Sequence, residues 1–364
     1  MDSRKILFLE AFYGGSHRTF ADGLIRHSRH DIRLVSLPAR SWKWRLRGAS
    51  LHFLKEIDNW QDYDLVVSGG MMSLADLKAL AGPDLPPLVL YSHESQLSYP
   101  LPPDEKIDYQ FGFTDITNCL SADGILFNSR FHLDAFFREL VPFLKRIPEF
   151  RPDWVRDSIR RKSRVLYPGC ELAPFMEEKK PHAPGSLLIL WNHRWEFDKA
   201  PEKFFKALEL LDEKGLDFRI ALLGECSRKV PKPFKAARER FGNRIAVYGF
   251  RESQEEYDSW LRKSDIVIST ALQENFGISI VEAVAAGAFP LLPHRLAYPE
   301  VLPDHFHRGH LYKNVPDLVA KLEKLLKQGL PAIQDLSRSM MIYDWENCID
   351  DYDDYFSALA EGRK

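Results

Sequence analysis

The chain has 364 residues, 45% hydrophobic and 28% charged, with a formal net charge of −2. That balance suits a globular enzyme of two α/β domains and excludes a global charge that would by itself attract nucleic acid or membrane. Cys119, Cys170, Cys226 and Cys348 lie far apart with no C-x-x-C pairing, which argues against a zinc site or a disulfide scaffold and fits a reducing cytoplasm.

The charged start, Asp2 to Lys5, leads into a first strand, Ile6–Leu9, too short for a signal peptide or a membrane span. No later apolar run reaches that length, so the expectation is a cytoplasmic protein with no integral membrane association. The strand ends in Glu10-Ala-Phe-Tyr-Gly14-Gly15-Ser16-His17. A glycine pair there lets the backbone approach a ligand, and Ser16 is placed to cap the next helix. The pattern is not G-x-G-x-x-G, and the second strand, Ile32–Ser36, lacks an acid to read a ribose, which argues against a dinucleotide enzyme.

Arg40, Lys43, Arg45 and Arg47 then cluster with Trp42 and Trp44, residues able to meet phosphates and stack on bases, although basic faces are usually plain solvated surface. Strands follow at Leu65–Ser68 and Leu88–Ser92, the latter running into His93-Glu94-Ser95-Gln96. His93 therefore sits at the same sheet edge, as a ligand contact or as a structural loop histidine. After Ile125–Asn128 comes a second basic stretch, from Arg138 to Arg164, and then a strand at Val165–Tyr167. The polar, proline-bearing segment from Pro168 to Gly185 reads as a linker.

The second half predicts strands at Leu187–Trp191, Arg219–Leu223, Ile245–Tyr248, Ile266–Ser269 and Phe289–Leu292, with helices at Pro201–Leu211, Glu255–Lys263 and Gly277–Ala286. None of the strands alternates strictly, as expected where both faces of a parallel sheet are buried. The acidic tail Trp345–Ala360 spaces Trp345, Ile349, Tyr352 and Phe356 as an amphipathic closing helix. Residues 1–170, 171–343 and 344–364 are thus expected as an acceptor-side domain, a donor domain and a closing helix.

The sharpest signal is Glu274-Asn275-Phe276-Gly277-Ile278-Ser-Ile-Val-Glu282, followed by an alanine-rich stretch ending at Gly287. Gly277 permits a tight turn, and the helix behind it offers free amides and a positive dipole end to a phosphate. Two surface glutamates on a buried strand–turn–helix would read alike, but the Phe-Gly turn and small-residue helix favour a ligand site. Upstream, Asn192-His193-Arg194-Trp-Glu-Phe-Asp-Lys199 follows the first strand of the second half, where an open α/β sheet binds ligands. Arg194 and Lys199 offer two cations suited to a diphosphate leaving group.

These motifs resemble the E-x7-E region of family 4 retaining glycosyltransferases. The resemblance implies a GT-B fold, two doubly wound Rossmann-like domains facing a central cleft. It also implies that Glu274 contacts the transferred sugar, Glu282 the donor ribose, and Arg194 and Lys199 the diphosphate. Asn275, Phe276, Gly277 and Ile278 would complete the donor loop, Gly224 would lie near the base, and Gly14 and Gly15 near the phosphates. His93 would touch the donor sugar.

A narrower likeness runs through nearly the whole chain. Glu10 to His17, Leu37 to Arg45, His93 to Pro100, Tyr109 to Phe113, Phe127 to Ser129 and Trp191 to Lys199 are similar to the tRNA-queuosine α-mannosyltransferase family. This implies transfer of mannose from GDP-mannose to the cyclopentenediol of queuosine in an aspartate tRNA anticodon. Ser16, His17, Trp42, Lys43, Trp44, Arg45, Glu94 and Gln96 become candidate acceptor contacts. No D-x-D pair sits in a suitable loop, so neither a metal nor a further cofactor is expected. A lipid or polysaccharide acceptor, or a non-catalytic binder of RNA or nucleotide sugar, are the competing readings.

Overall fold

The computed structural model describes residues 3–102, 105–175, 186–226 and 229–362. The chain divides into two compact units, Met1–Cys170 with Trp345–Lys364, and Glu171–Asp344. Of the expected linker, residues 176–185 lie outside the described residues.

In the first unit β1 (Lys5–Tyr13), β2 (Asp31–Pro38), β3 (Leu65–Gly69), β4 (Leu88–Ser92), β5 (Gly124–Phe127) and β6 (Ser163–Val165) form a parallel sheet ordered β2-β1-β3-β4-β5-β6. Successive side chains of a strand point to opposite faces. Ile6 and Phe8 accordingly enter one core with Phe20, Leu24 and Tyr91, while Leu7 and Leu9 enter the other with Phe53, Leu90 and Phe136. The first face is closed by the helix Trp345–Glu361, which buries Trp345, Ile349, Tyr352 and Phe356 as their spacing predicts. The fit is tight: a Cβ at Gly23 or Gly169 would lie 2.1 or 2.2 Å from the Trp345 ring.

The second unit holds β7 (Leu188–Asn192), β8 (Arg219–Leu223), β9 (Ile245–Gly249), β10 (Ile266–Ile268), β11 (Phe289–Pro293) and β12 (Leu311–Tyr312), ordered β12-β11-β10-β7-β8-β9 and again parallel. Each order reverses once, between β1 and β3 and between β7 and β10. Ligands of open α/β sheets bind at the carboxyl ends of strands beside such a reversal.

Three local expectations need correction. β6 lies two residues earlier than Val165–Tyr167, because an edge strand tolerates the polar Ser163 and Arg164 that an apolar reading passes over. β12, only two residues long, carries too little pattern to be seen. β1 continues to Tyr13, so the helix Gly15–His27 takes Gly14 as its cap; Ser16 is exposed inside the first turn and caps nothing.

Candidate functional site

The second-unit cluster is built at the β7/β10 reversal. Beyond β7 the chain makes a short turn, Phe197–Lys199, and enters the helix Pro201–Glu213 through Ala200, whose φ is 45°. A left-handed alanine directly before proline is strained. From beyond β10, the Thr270 hydroxyl donates to the carbonyl oxygens of Lys199 and Ala200 at 2.9 and 3.1 Å, holding that turn. The turn buries Lys199 and fixes its ammonium, which donates to the Gln273 carbonyl at 2.7 Å and lies 3.3 Å from both Asp198 Oδ2 and Glu274 Oε2. Arg194 is exposed and 3.5 Å from Glu196.

The loop from Glu274 turns at Gly277, where φ of 101° suits glycine, and Gly277 caps the helix Ile278–Ala285. The first amides of that helix, without intrahelical partners, face outward from its start. Phe276 is buried against Tyr343, 5.0 Å between ring centroids, so its side chain anchors the loop. Glu282, one turn along, accepts from the Tyr257 hydroxyl at 2.9 Å, and burial pushes its carboxyl up to about 7. Asn192 ties the pieces together by donating to the Ser279 carbonyl at 2.8 Å and the Tyr257 hydroxyl at 3.3 Å. Gly224, with φ of 145°, lies against the preceding loop so closely that a Cβ would meet the His193 carbonyl oxygen at 1.8 Å. Arg194, Lys199, Gly224, Glu274, Gly277 and Glu282 thus belong to one edge of one sheet.

In the first unit the β1/β3 reversal carries a different cluster. Glu10 is fully buried inside β1. Its Oε1 accepts from the Phe12 amide at 2.8 Å, and its Oε2 lies 3.3 Å from His17 Nδ1 and 3.9 Å from His93 Nε2. Gly69 leaves room for that carboxylate, since a Cβ there would stand 2.3 Å from Oε2. The two imidazoles stack with centroids 3.9 Å apart and planes 27° from parallel. Burial holds His93 well below its ordinary value, with His17 and His132 adding to the effect.

One ligand atom from each of Glu10, His17 and His93 falls within 4.8 Å of the others, near enough for a metal ion. Imidazole lone pairs, however, lie in the ring plane, and two nearly parallel stacked rings do not offer one ion a position in both planes without turning. The cluster reads better as a carboxylate facing a histidine pair. Beside it, Glu94 accepts from Gln96 Nε2 at 3.1 Å. Gly14 packs against Ala39 and Gly15 takes φ of 51°.

The expected basic segment forms the helix Trp42–Glu56. Trp44 is 81% exposed and open to a partner, whereas Trp42 packs on Phe111, 5.0 Å between centroids. Lys43 pairs with Glu105 at 3.5 Å, and Arg45 Nη2 reaches the Pro38 carbonyl at 3.4 Å. Among the described residues no helix is long and apolar enough to cross a membrane.

Residues 5–170 match the family model described as tRNA-queuosine alpha-mannosyltransferase N-terminal, and residues 174–342 match Glycosyl transferases group 1. A tRNA-queuosine alpha-mannosyltransferase of Drosophila melanogaster is 36% identical over 334 residues, 87% of this chain and 85% of the relative. The chain belongs to the tRNA-queuosine α-mannosyltransferase family. It is a glycosyltransferase of the GT-B fold. A sucrose-phosphate synthase from Thermosynechococcus elongatus superposes with a TM-score of 0.75 at 12% identity, covering 99% of this chain and 100% of that one. A glycosyltransferase from Rickettsia africae gives 0.66 at 16% identity, covering 99% of each. At such identities the likeness concerns the fold alone. Glu10, Gly69, Thr270 and Tyr257 contact the candidate residues, and no short sequence pattern marks them.

Proposed function

We propose that this chain transfers mannose from GDP-mannose to queuosine in an aspartate tRNA, with retention, in the cytoplasm and without a metal. The observation that carries the reading is the buried Lys199 beside Glu274 at the start of the Ile278–Ala285 helix, within a chain of this family. Lys199 and Arg194, with the outward amides of the helix, stabilise the charge that grows on the departing diphosphate. Lys199 already faces Asp198 and Glu274, so its charge is partly offset and the helix amides matter. Glu282 accepts from the donor ribose, and Glu274 holds the sugar hydroxyls.

No carboxylate is placed as a nucleophile in this reading. The acceptor oxygen bonds to the anomeric carbon on the face from which the diphosphate leaves. The bond from that carbon to the phosphate oxygen breaks, and a phosphate oxygen takes the acceptor's proton. Trp44 and the arginines of its helix meet the RNA backbone and bases. The test is transfer of radiolabelled mannose from GDP-mannose to total tRNA. Label is expected on queuosine-containing tRNA and absent from queuosine-free tRNA; label on neither, with the donor hydrolysed, would overturn the acceptor assignment.

A further inference from the structure

On the second unit, two cations outside the donor contacts stand close together. Lys203 lies in the first turn of the helix Pro201–Glu213, and Arg295 follows β11; both are exposed. Short contacts join their surroundings. The Lys203 amide donates to the Ala200 carbonyl at 3.0 Å, and the same carbonyl accepts from the Thr270 hydroxyl at 3.1 Å. Arg295 Nη2 lies 3.5 Å from the Thr270 carbonyl oxygen and donates to the Ala271 carbonyl at 2.9 Å, which fixes one end of the guanidinium plane. Among the described residues, Arg295 Nη1 and Nε make no hydrogen bond and the Lys203 ammonium has neither a hydrogen bond nor an ion pair. Glu202, next in sequence, pairs with neither cation.

That arrangement is unfavourable as it stands. Burial and the Arg295 charge together hold the Lys203 ammonium below its ordinary value. The first turn of a helix is also its positive end, where a lysine is disfavoured. The backbone is strained beside both cations: Leu296, directly after Arg295, has a φ of 60°, and Ala200, three residues before Lys203, has 45°. A side chain as bulky as leucine rarely adopts that region, and such strain clusters at ligand clamps. An anion relieves the like charges and the helix end together. The guanidinium fork alone would satisfy a planar carboxylate, whereas an ammonium beside the fork suits a tetrahedral group with oxygens on several sides. We infer that Lys203 and Arg295 form a phosphate site separate from the donor diphosphate contacts, the ammonium and the unbonded guanidinium nitrogens donating to its oxygens. Lys199 stays outside it, because its ammonium faces the Gln273 carbonyl, Asp198 and Glu274. A nucleic-acid backbone and free inorganic phosphate share the chemistry that this site recognises.

The test uses the full chain saturated with GDP, so that the donor contacts are occupied, and inorganic phosphate as the probe, against chloride at equal ionic strength. Phosphate should raise the melting temperature of the unaltered protein by more than that of K203Q, the general salting effect being common to both. In chloride K203Q should melt at or above the unaltered protein, because it removes a repulsion; loss of a merely structural lysine would lower the melting temperature in both salts. The apparent Kd for phosphate should rise about tenfold in K203Q and in R295Q. Because the Lys203 ammonium holds no other group among the described residues, K203Q carries the test even where R295Q disturbs the Ala271 loop. Equal phosphate responses in K203Q and the unaltered protein would overturn the inference. With that response lost in K203Q, a several-fold higher tRNA KM identifies the ligand as an RNA phosphodiester, and an unchanged tRNA KM identifies it as free phosphate. The phosphate measurement does not depend on the acceptor reading, so failure of every tRNA to accept mannose would leave it standing.

Discussion

The two strand-order reversals of this chain place buried charges at equivalent edges of two similar sheets, yet they do so in opposite ways. At β7/β10 a lysine is pinned by a carbonyl and two carboxylates, with a helix start alongside. At β1/β3 a carboxylate is buried against two imidazoles, and no lysine or arginine lines the adjoining recess among the described residues. On the proposed function, the same fold supplies an anion site in one unit and an acid-lined edge in the other. The difference lies in single residues placed at a strand end, while the sheets that carry them remain alike.

The comparison is most severely tested by removing the cation. Lys199→Ala should lower kcat by roughly 10²–10³-fold, as expected for a group acting on leaving-group charge, and should also lower the melting temperature, because the buried Asp198 loses its counter-charge. Glu274→Ala should lower kcat by about 10²-fold; full turnover in that variant would break the donor assignment. On the opposite side, Gly69→Ala forces a methyl group onto Glu10 and should cost about tenfold in kcat/KM for tRNA with the donor KM nearly unchanged. A matched loss in donor binding would show that the two edges are not independent.

Smaller effects follow from pH. Glu282 carries a folded-state pKa of about 7, raised by burial above its ordinary value. As pH falls through that value the carboxylate gains a proton and ceases to be a full acceptor for ribose. The donor KM should therefore rise a fewfold, and E282Q should flatten that dependence. A raised carboxyl pKa also means the folded chain holds protons that the unfolded chain has released. The stability contribution is present below the unfolded value and declines as pH rises through about 7. Melting temperatures with and without E282Q check the sign. Smallest of all is the effect of chelation: treatment with EDTA should leave transfer unchanged, and a loss restored by one divalent ion would redirect attention to Glu10, His17 and His93.

Much of the scaffold was readable because parallel strands buried on both faces appear as unbroken apolar runs, and the closing helix repeats its apolar residues at helical spacing. The Glu274–Glu282 pair was readable because a Phe-Gly turn and alanine-rich helix are local features. Glu10 is hard to read from sequence, since a charged residue after an apolar run looks like a strand end; only the neighbouring β3, with Gly69, shows why an acid can be buried there. Asp115 lies on a separate helix, about twenty residues from the loop it fastens, a distance no short pattern spans. Thr270 and Tyr257 act through partners that come from other strands and helices. The Trp42 and Trp44 pair shows the converse: equal in sequence, they part because one side of the helix meets Phe111 and the other meets water.

The closing helix also orders events in time. Residues 345–361 complete the hydrophobic face begun by β1, so the first unit needs segments from both sides of the second unit to leave the ribosome. The second unit, Glu171–Asp344, is continuous in sequence and needs no segment from beyond Asp344 to complete its core. A released chain that stopped before Trp345 would carry a complete second unit beside an open, aggregation-prone N-terminal sheet. The helix Trp345–Glu361 follows the second unit in the chain, so chaperone demand should fall on the first unit's sheet until that helix docks.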